Sequence, residues 1–319
     1  MKINSLFWLI GLLPLLGLGQ APAPVPRPAF LQKDSIRSSL DGNAQVFYYD
    51  KSTASTPQPL VVALHSWSNS VESQPPLAAE EAHAKNWNYI FPNFRGVNNH
   101  PKACCSKYAL ADLDEAIDWT LAHLNVDRKQ IYVVGHSGGG YATLAMYMKS
   151  RHAIASFSAW CGITDLAAWY AESSERKNKY APEILHCTGA GTTLDRQKAL
   201  DRSPLYWKTP VSQRQKSQLR IYAGIHDGHT GSVPISQSIN FYNKLLTDSG
   251  VKDKSFYVSE ADAQTMLQTQ AFPTTNQPKT IDNRAIHYQK TANRITLTLF
   301  EGGHEFLQAV GLEEIVPNR

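Results

Sequence analysis

The stretch "VVGHSGGGYATLAMYM", Val133 to Met148, decides the fold. An apolar run from Ile131 to Val134 stops at Gly135, and an apolar pattern at helical spacing resumes beyond Gly140. Between them, Gly135-His136-Ser137-Gly138-Gly139 forms a Gly-x-Ser-x-Gly turn from strand to helix. Such a turn forces its serine into a strained backbone conformation. The residues two positions away must be small, because strand and helix nearly collide there, and Gly135 and Gly139 meet that need. The Ser137 hydroxyl is expected to project above a sheet, with a helix N-terminus behind it that favours negative charge. A phosphate-binding loop is the competing reading, but neither Gly-x-Gly-x-x-Gly nor Gly-Lys-Ser/Thr follows.

Working outward, "PLVVALH" (59–65), "NYIFPN" (88–93), "QIYVVG" (130–135), "IASFSAW" (154–160), "LRIYAGI" (219–225) and "ITLTLFE" (295–301) read as buried strands. "LADLDEAIDWTLAHL" (110–124) and "ISQSINFYNKLLTDSG" (235–250) read as helices. Strands alternating with helices predict an α/β fold with a mainly parallel central sheet flanked by helices. Sites in such sheets lie at the carboxyl ends of strands, which directs attention to His65-Ser66-Trp67, Ser137, Asp227 and His304.

A serine hydroxyl needs a base, and the base needs an orienting acid. In a Gly-x-Ser-x-Gly fold the chain order is serine, acid, histidine. Asp227 in "AGIHDGHTGSVP" and His304 in "FEGGHEF" fit that order. His229 competes as base, and Glu301, Asp262 and Asp165 compete as acid. His226 is expected to shape the acid turn, His136 to point away from the serine, and His65 to brace its own loop. An oxyanion hole is expected from the N–H groups of Gly138 and Trp67.

These residues together resemble the α/β-hydrolase superfamily and, within it, the prolyl-oligopeptidase-like branch. "NVDRKQIYVVGHSGGGYATLAM", "RSPLYW" and the acid-loop ending Val233-Pro234 carry the likeness, which runs from about Leu60 to Leu307. Two departures stand out. Gly228 to Ser232 lengthen the spacing from Asp227 to Val233, and "LHSWS" has Ser66 where many relatives have glycine. The resemblance implies the α/β-hydrolase fold with a small cap or insertions, here near 164–206 and 251–293. Peptidases of the branch usually carry a large N-terminal propeller, and the stretch before the first core strand is short. The resemblance therefore implies a secreted serine carboxylester hydrolase acting on polysaccharide esters, acetyl or methyl uronate, with a carbohydrate ester as its partner. A peptidase of the same branch and a non-catalytic sugar-binding member are the alternatives. Arg95, Asn98 and Trp169 are the expected substrate contacts: Arg95 for a carboxylate, Trp169 for stacking on a sugar. The chemistry calls for no metal and no organic cofactor.

The remaining features bound this reading. Residues 1–19 carry one charged side chain, Lys2, before the apolar stretch Leu6 to Leu18, the pattern of a secretory signal. Residues 20–40 read as an extended leader and 41–319 as the catalytic domain. An exported, periplasmic or secreted location is expected, with no stable membrane insertion once the signal is removed. The formal charge of +4, without a Lys/Arg block, gives nucleic-acid binding no support. Four cysteines, Cys104, Cys105, Cys161 and Cys187, allow three complete pairings, among which sequence does not choose. A zinc site lacks a second paired-Cys or His-x-x-x-His partner.

Overall fold

Apolar side chains on both faces of a strand call for cover on both sides, and β3 (Gln58–Leu64) shows how this chain supplies it. Leu60, Val62 and Leu64 join one core cluster, while Val61 and Ala63 join the other. The computed structural model describes residues 25–272, 279–310, 312–313 and 315–316. The signal assigned to 1–19 lies outside them.

The strands are β1 (Gln32–Arg37), β2 (Ala44–Asp50), β3, β4 (Asn88–Pro92), β5 (Val126–His136), β6 (Ser156–Trp160), β7 (Gln218–Gly224), β8 (Thr280–Ile281), β9 (Arg284–Ala292) and β10 (Ile295–Phe300). They form one sheet in the order β1-β2-β4-β3-β5-β6-β7-β10-β9-β8. Its centre, β4-β3-β5-β6-β7-β10, is parallel. The flanks are antiparallel. Residues 32–37, read from sequence as the end of a leader, are instead the edge strand, in register with β2 from Gln32↔Tyr49 to Arg37↔Ala44.

The helices are α1 (Ala79–Ala84), α2 (Lys107–His123), α3 (Gly138–Lys149), α4 (Leu166–Glu175), α5 (Tyr180–Thr188), α6 (Arg196–Leu200), α7 (Val211–Arg214), α8 (Ile235–Asp248) and α9 (Glu260–Thr269). The buried sides of α2, α3 and α8 fill one core, with Leu113, Leu144 and Phe241 among their contributions. Ala79 and Ala82 of α1, with Leu307, Leu312 and Ile315, fill the other. Serine 106 caps α2 by accepting from the Tyr108 and Ala109 N–H groups. Arg214 closes the far end of α3: its buried guanidinium donates to the Met146, Tyr147, Ser150 and His152 carbonyls.

The expected insertion near 164–206 contains α4, α5 and α6. A disulfide from Cys104 to Cys187 ties α5 to the loop after β4. Cys105 and Cys161 are buried free thiols. The later insertion contains α9 and then the β8–β9 hairpin, which extends the sheet beyond β10. Among the described residues no helix is long and apolar enough to cross a membrane.

Candidate active site

The six parallel strands end on one side of the sheet, and the loops after four of them, β3, β5, β7 and β10, bring the candidate residues together. At the end of β5, Ser137 has φ 58° and ψ −118°, the strained corner expected of the turn. The glycines around it are enforced by contact. A Cβ on Gly135 would stand 2.2 Å from the Gly139 carbonyl oxygen, and one on Gly139 would stand 2.3 Å from the Leu64 oxygen. On Gly138 it would meet the Trp67 backbone nitrogen at 2.2 Å, so the loop after β3 runs hard against the start of α3.

His304, in the loop after β10, faces Ser137 with Nε2 2.8 Å from the serine Oγ. Its Nδ1 lies 2.7 Å from Asp227 Oδ2. Asp227 is buried, and its other oxygen accepts the Gly228 and Val233 N–H groups, each at 3.0 Å. The lengthened acid loop is thereby explained. Residues 228–232 loop round and bring Val233 back to the carboxylate, with Gly228 in the left-handed region at φ 92°. Gly231 packs against the pair itself: a Cβ there would lie 2.2 Å from Asp227 Oδ1 and 2.6 Å from His304 Cβ.

The competitors are engaged elsewhere. His229 Nε2 is 3.0 Å from the Leu267 carbonyl oxygen. Asp165 caps α4, and Asp262 accepts the Tyr288 hydroxyl. Glu301 bridges His287 and His226, and these bonds hold its carboxyl below the usual range, His287 first. His226 thus braces the acid turn from the side. Glu305 accepts from Arg284 at 2.7 Å and from the Gly303 N–H at 3.0 Å, which fixes the bend carrying His304. His65 is buried with its ring nitrogens 3.0 Å from the Ser66 oxygen and 2.7 Å from the Asn93 oxygen. Burial lowers its pKa while those two carbonyls oppose the shift.

All three expected substrate contacts are corrected. Arg95 is buried in an ionic cluster, bidentate to Asp112 and 2.7 Å from Asp41, with Ser38 as a further partner. Burial disfavours its charge, but the Asp112 and Asp41 carboxylates outweigh that and raise its pKa. Asn98 is 2 % exposed and accepts the Cys104 N–H at 2.7 Å, shaping the disulfide loop. Trp169 is 1 % exposed, donates to the Ser232 carbonyl at 2.7 Å and packs edge-on against Trp67. A loop polar at sequence level supplied Arg95 and Asn98 because charge and amide signal polarity without direction.

Three side chains beside the site gave no such signal. Glu183 of α5 accepts the Trp67 indole N–H at 2.8 Å and holds the loop after β3. Burial raises its pKa against the opposing pull of Lys179. His136 turns toward the site rather than away from it, its ring 4.9 Å from that of His304. Burial pushes its pKa down to about 3, with the neighbouring His304 adding to the effect. Cys161 follows β6 and lies beside the His304 loop. The possible metal donors of His136, Cys161 and His304 lie within 4.8 Å of one another.

Residues 59–181 match the family model of the alpha/beta hydrolase fold. No curated protein sequence matches the chain. Among solved structures, Pyrococcus horikoshii acylaminoacyl peptidase is similar at 17 % identity and a TM-score of 0.53, over 69 % of this chain and 36 % of that one. A puromycin-hydrolyzing peptidase of Mycobacterium tuberculosis is similar at 16 % identity and a TM-score of 0.54, over 77 % and 39 %. Oligopeptidase B from Leishmania major is similar at 12 % identity and a TM-score of 0.56, over 86 % and 33 %. The chain spans about a third of the length of these structures. The strained serine after β5, the acid after β7, the histidine after β10 and the matched family model agree: in fold, this chain is an α/β-hydrolase.

Proposed function

We propose that the chain is a serine hydrolase that works through an acyl-enzyme and cleaves peptide or aminoacyl bonds. The observation that carries this is the unbroken relay Ser137–His304–Asp227, with bonds of 2.8 and 2.7 Å, on a strained strand-to-helix corner. His304 takes the Ser137 proton as Oγ attacks the acyl carbonyl. Asp227 keeps the His304 proton on Nδ1 and stabilises the imidazolium that forms. The N–H groups of Gly138 and Trp67 receive the developing oxyanion, each contributing on the order of 10²–10³ in rate. His304 then protonates the leaving group, and water releases the acyl group by the reverse sequence.

The likeness of the fold to three peptidases supports peptide and aminoacyl substrates. The polysaccharide-ester reading uses the same chemistry, but Arg95, Asn98 and Trp169, its expected sugar contacts, are committed to the interior. Action after export is part of the proposal, supported by the basic and apolar pattern of residues 1–19 and by the Cys104–Cys187 disulfide.

Purified protein and its Ser137→Ala variant are to be assayed in parallel on aminoacyl and peptidyl anilides, acetylated xylan and methyl-esterified pectin. Anilide cleavage by the wild type alone is expected. Release of acetate or methanol without anilide cleavage transfers the assignment to the carbohydrate esters. Unchanged turnover in Ser137→Ala overturns the mechanism.

A further inference from the structure

We propose that His136, Cys161 and His304 form a binding site for a thiophilic divalent cation, with Zn²⁺ as the probe, and that its occupation arrests Ser137. The three residues come from separate segments, the ends of β5 and β6 and the loop after β10, and the fold converges them so that their donors lie within 4.8 Å of one another. The mechanism uses neither His136 nor Cys161. His136 Nε2 is sealed from solvent and has no hydrogen-bond partner among the described residues. An unpaired buried ring nitrogen is costly, and coordination would satisfy it. Cys161 holds a left-handed backbone at φ 49°, and its sulfur sits 3.6 Å from the Glu305 carbonyl oxygen, against the loop that carries His304.

Two imidazoles and a thiolate suit zinc and similar ions, whereas magnesium and calcium prefer oxygen ligands. Zinc bonds of about 2.0–2.3 Å bring the donors closer than they now stand, so binding draws the three side chains inward. On coordination Cys161 releases its thiol proton to solvent, His136 and His304 each give one nitrogen lone pair, and water completes the tetrahedron.

The consequence for the site follows from electron count. A neutral imidazole has one available in-plane lone pair. With the Nδ1 proton held by Asp227, that pair lies on Nε2 and faces Ser137. An ion that engages His304 takes this pair, so the serine loses its base. Zinc binding and turnover are therefore mutually exclusive. This arrest rests on the serine-hydrolase reading, whereas the binding itself does not.

The test is calorimetric titration of Zn²⁺ into the metal-free full chain and its Cys161→Ala and His136→Gln variants, with thermal melts to verify folding. Hydrolysis of p-nitrophenyl acetate is followed in the same samples. The wild type is expected to bind one equivalent and lose activity in step. Each variant is expected to keep its metal-free activity and to need at least about tenfold more zinc for both effects, the size typical of a disturbed metal site. Magnesium is expected to do nothing at the same concentration. Absence of zinc binding in the wild type overturns the proposal, as does unchanged affinity in either folded variant. One equivalent bound by a protein that shows no hydrolysis even without metal upholds the site and removes the hydrolase reading.

Discussion

Around Ser137 single atoms decide the outcome. The relay to Asp227 passes within van der Waals reach of Gly231, where even a methyl group has no space. We expect Gly231→Ala to displace the acid from the histidine and to lower kcat about 10²-fold, the effect of roughly 1 Å of misplacement at a reacting group. Steady-state kinetics of the folded variant check this, and an unchanged kcat would mean that the acid loop yields freely. His136 makes a second prediction at this scale. Its ordinary pKa is near 6.5 and its folded value about 3. Between those values the unfolded chain binds a proton that the folded chain refuses, so stability falls as pH is lowered through that window. Urea denaturation from pH 7 to pH 4 should show a shallower decline in His136→Gln than in the wild type. Identical slopes would place the acid sensitivity elsewhere.

Individual strands and loops show what a sequence can disclose. The runs around β3, β4, β5, β6, β7 and β10 are apolar because both faces of a parallel centre are covered, and their limits fall within a few residues of expectation. The strand β1, QKDSIR, has no such run. It is an exposed edge, and its pairing with β2 is backbone hydrogen bonding that side-chain polarity does not report. The catalytic candidates were legible because strand ends punctuated by glycine expose chemistry. The direction of Arg95 was not, since an arginine bound for a buried carboxylate looks the same as one bound for a ligand. Its cluster with Asp112 and Asp41 is a structural brace between the β1–β2 turn, the loop after β4 and α2. Arg95→Leu strands the buried Asp112 charge and should cost about 3–5 kcal/mol in chemical denaturation. Its KM for a peptidyl anilide that carries a free carboxylate, relative to a neutral one, should not change, and a selective rise for the carboxylate substrate would return Arg95 to the pocket.

At the level of the whole molecule, a parallel sheet gathers four strand ends, and an insertion stapled from the side holds the Trp67 loop against the start of α3. The staple is Cys104–Cys187, spanning 83 residues of sequence, and one helical turn before it Glu183 grips the Trp67 indole. Cys187→Ala should cost about 2–5 kcal/mol of stability, seen as a lower denaturation midpoint. Because α5 also positions the Trp67 loop, kcat should fall in the same variant while a fully reduced wild type matches it. Loss of stability with full kcat would confine the disulfide to the insertion. On the serine-hydrolase proposal, this architecture makes one serine, Ser137, a nucleophile. A fluorophosphonate probe followed by intact-mass and peptide mass spectrometry tests it most directly. We predict a single adduct on Ser137 in the wild type and none in Ser137→Ala; an unlabelled wild type, or an adduct on another residue, would mean that Ser137 is not the nucleophile.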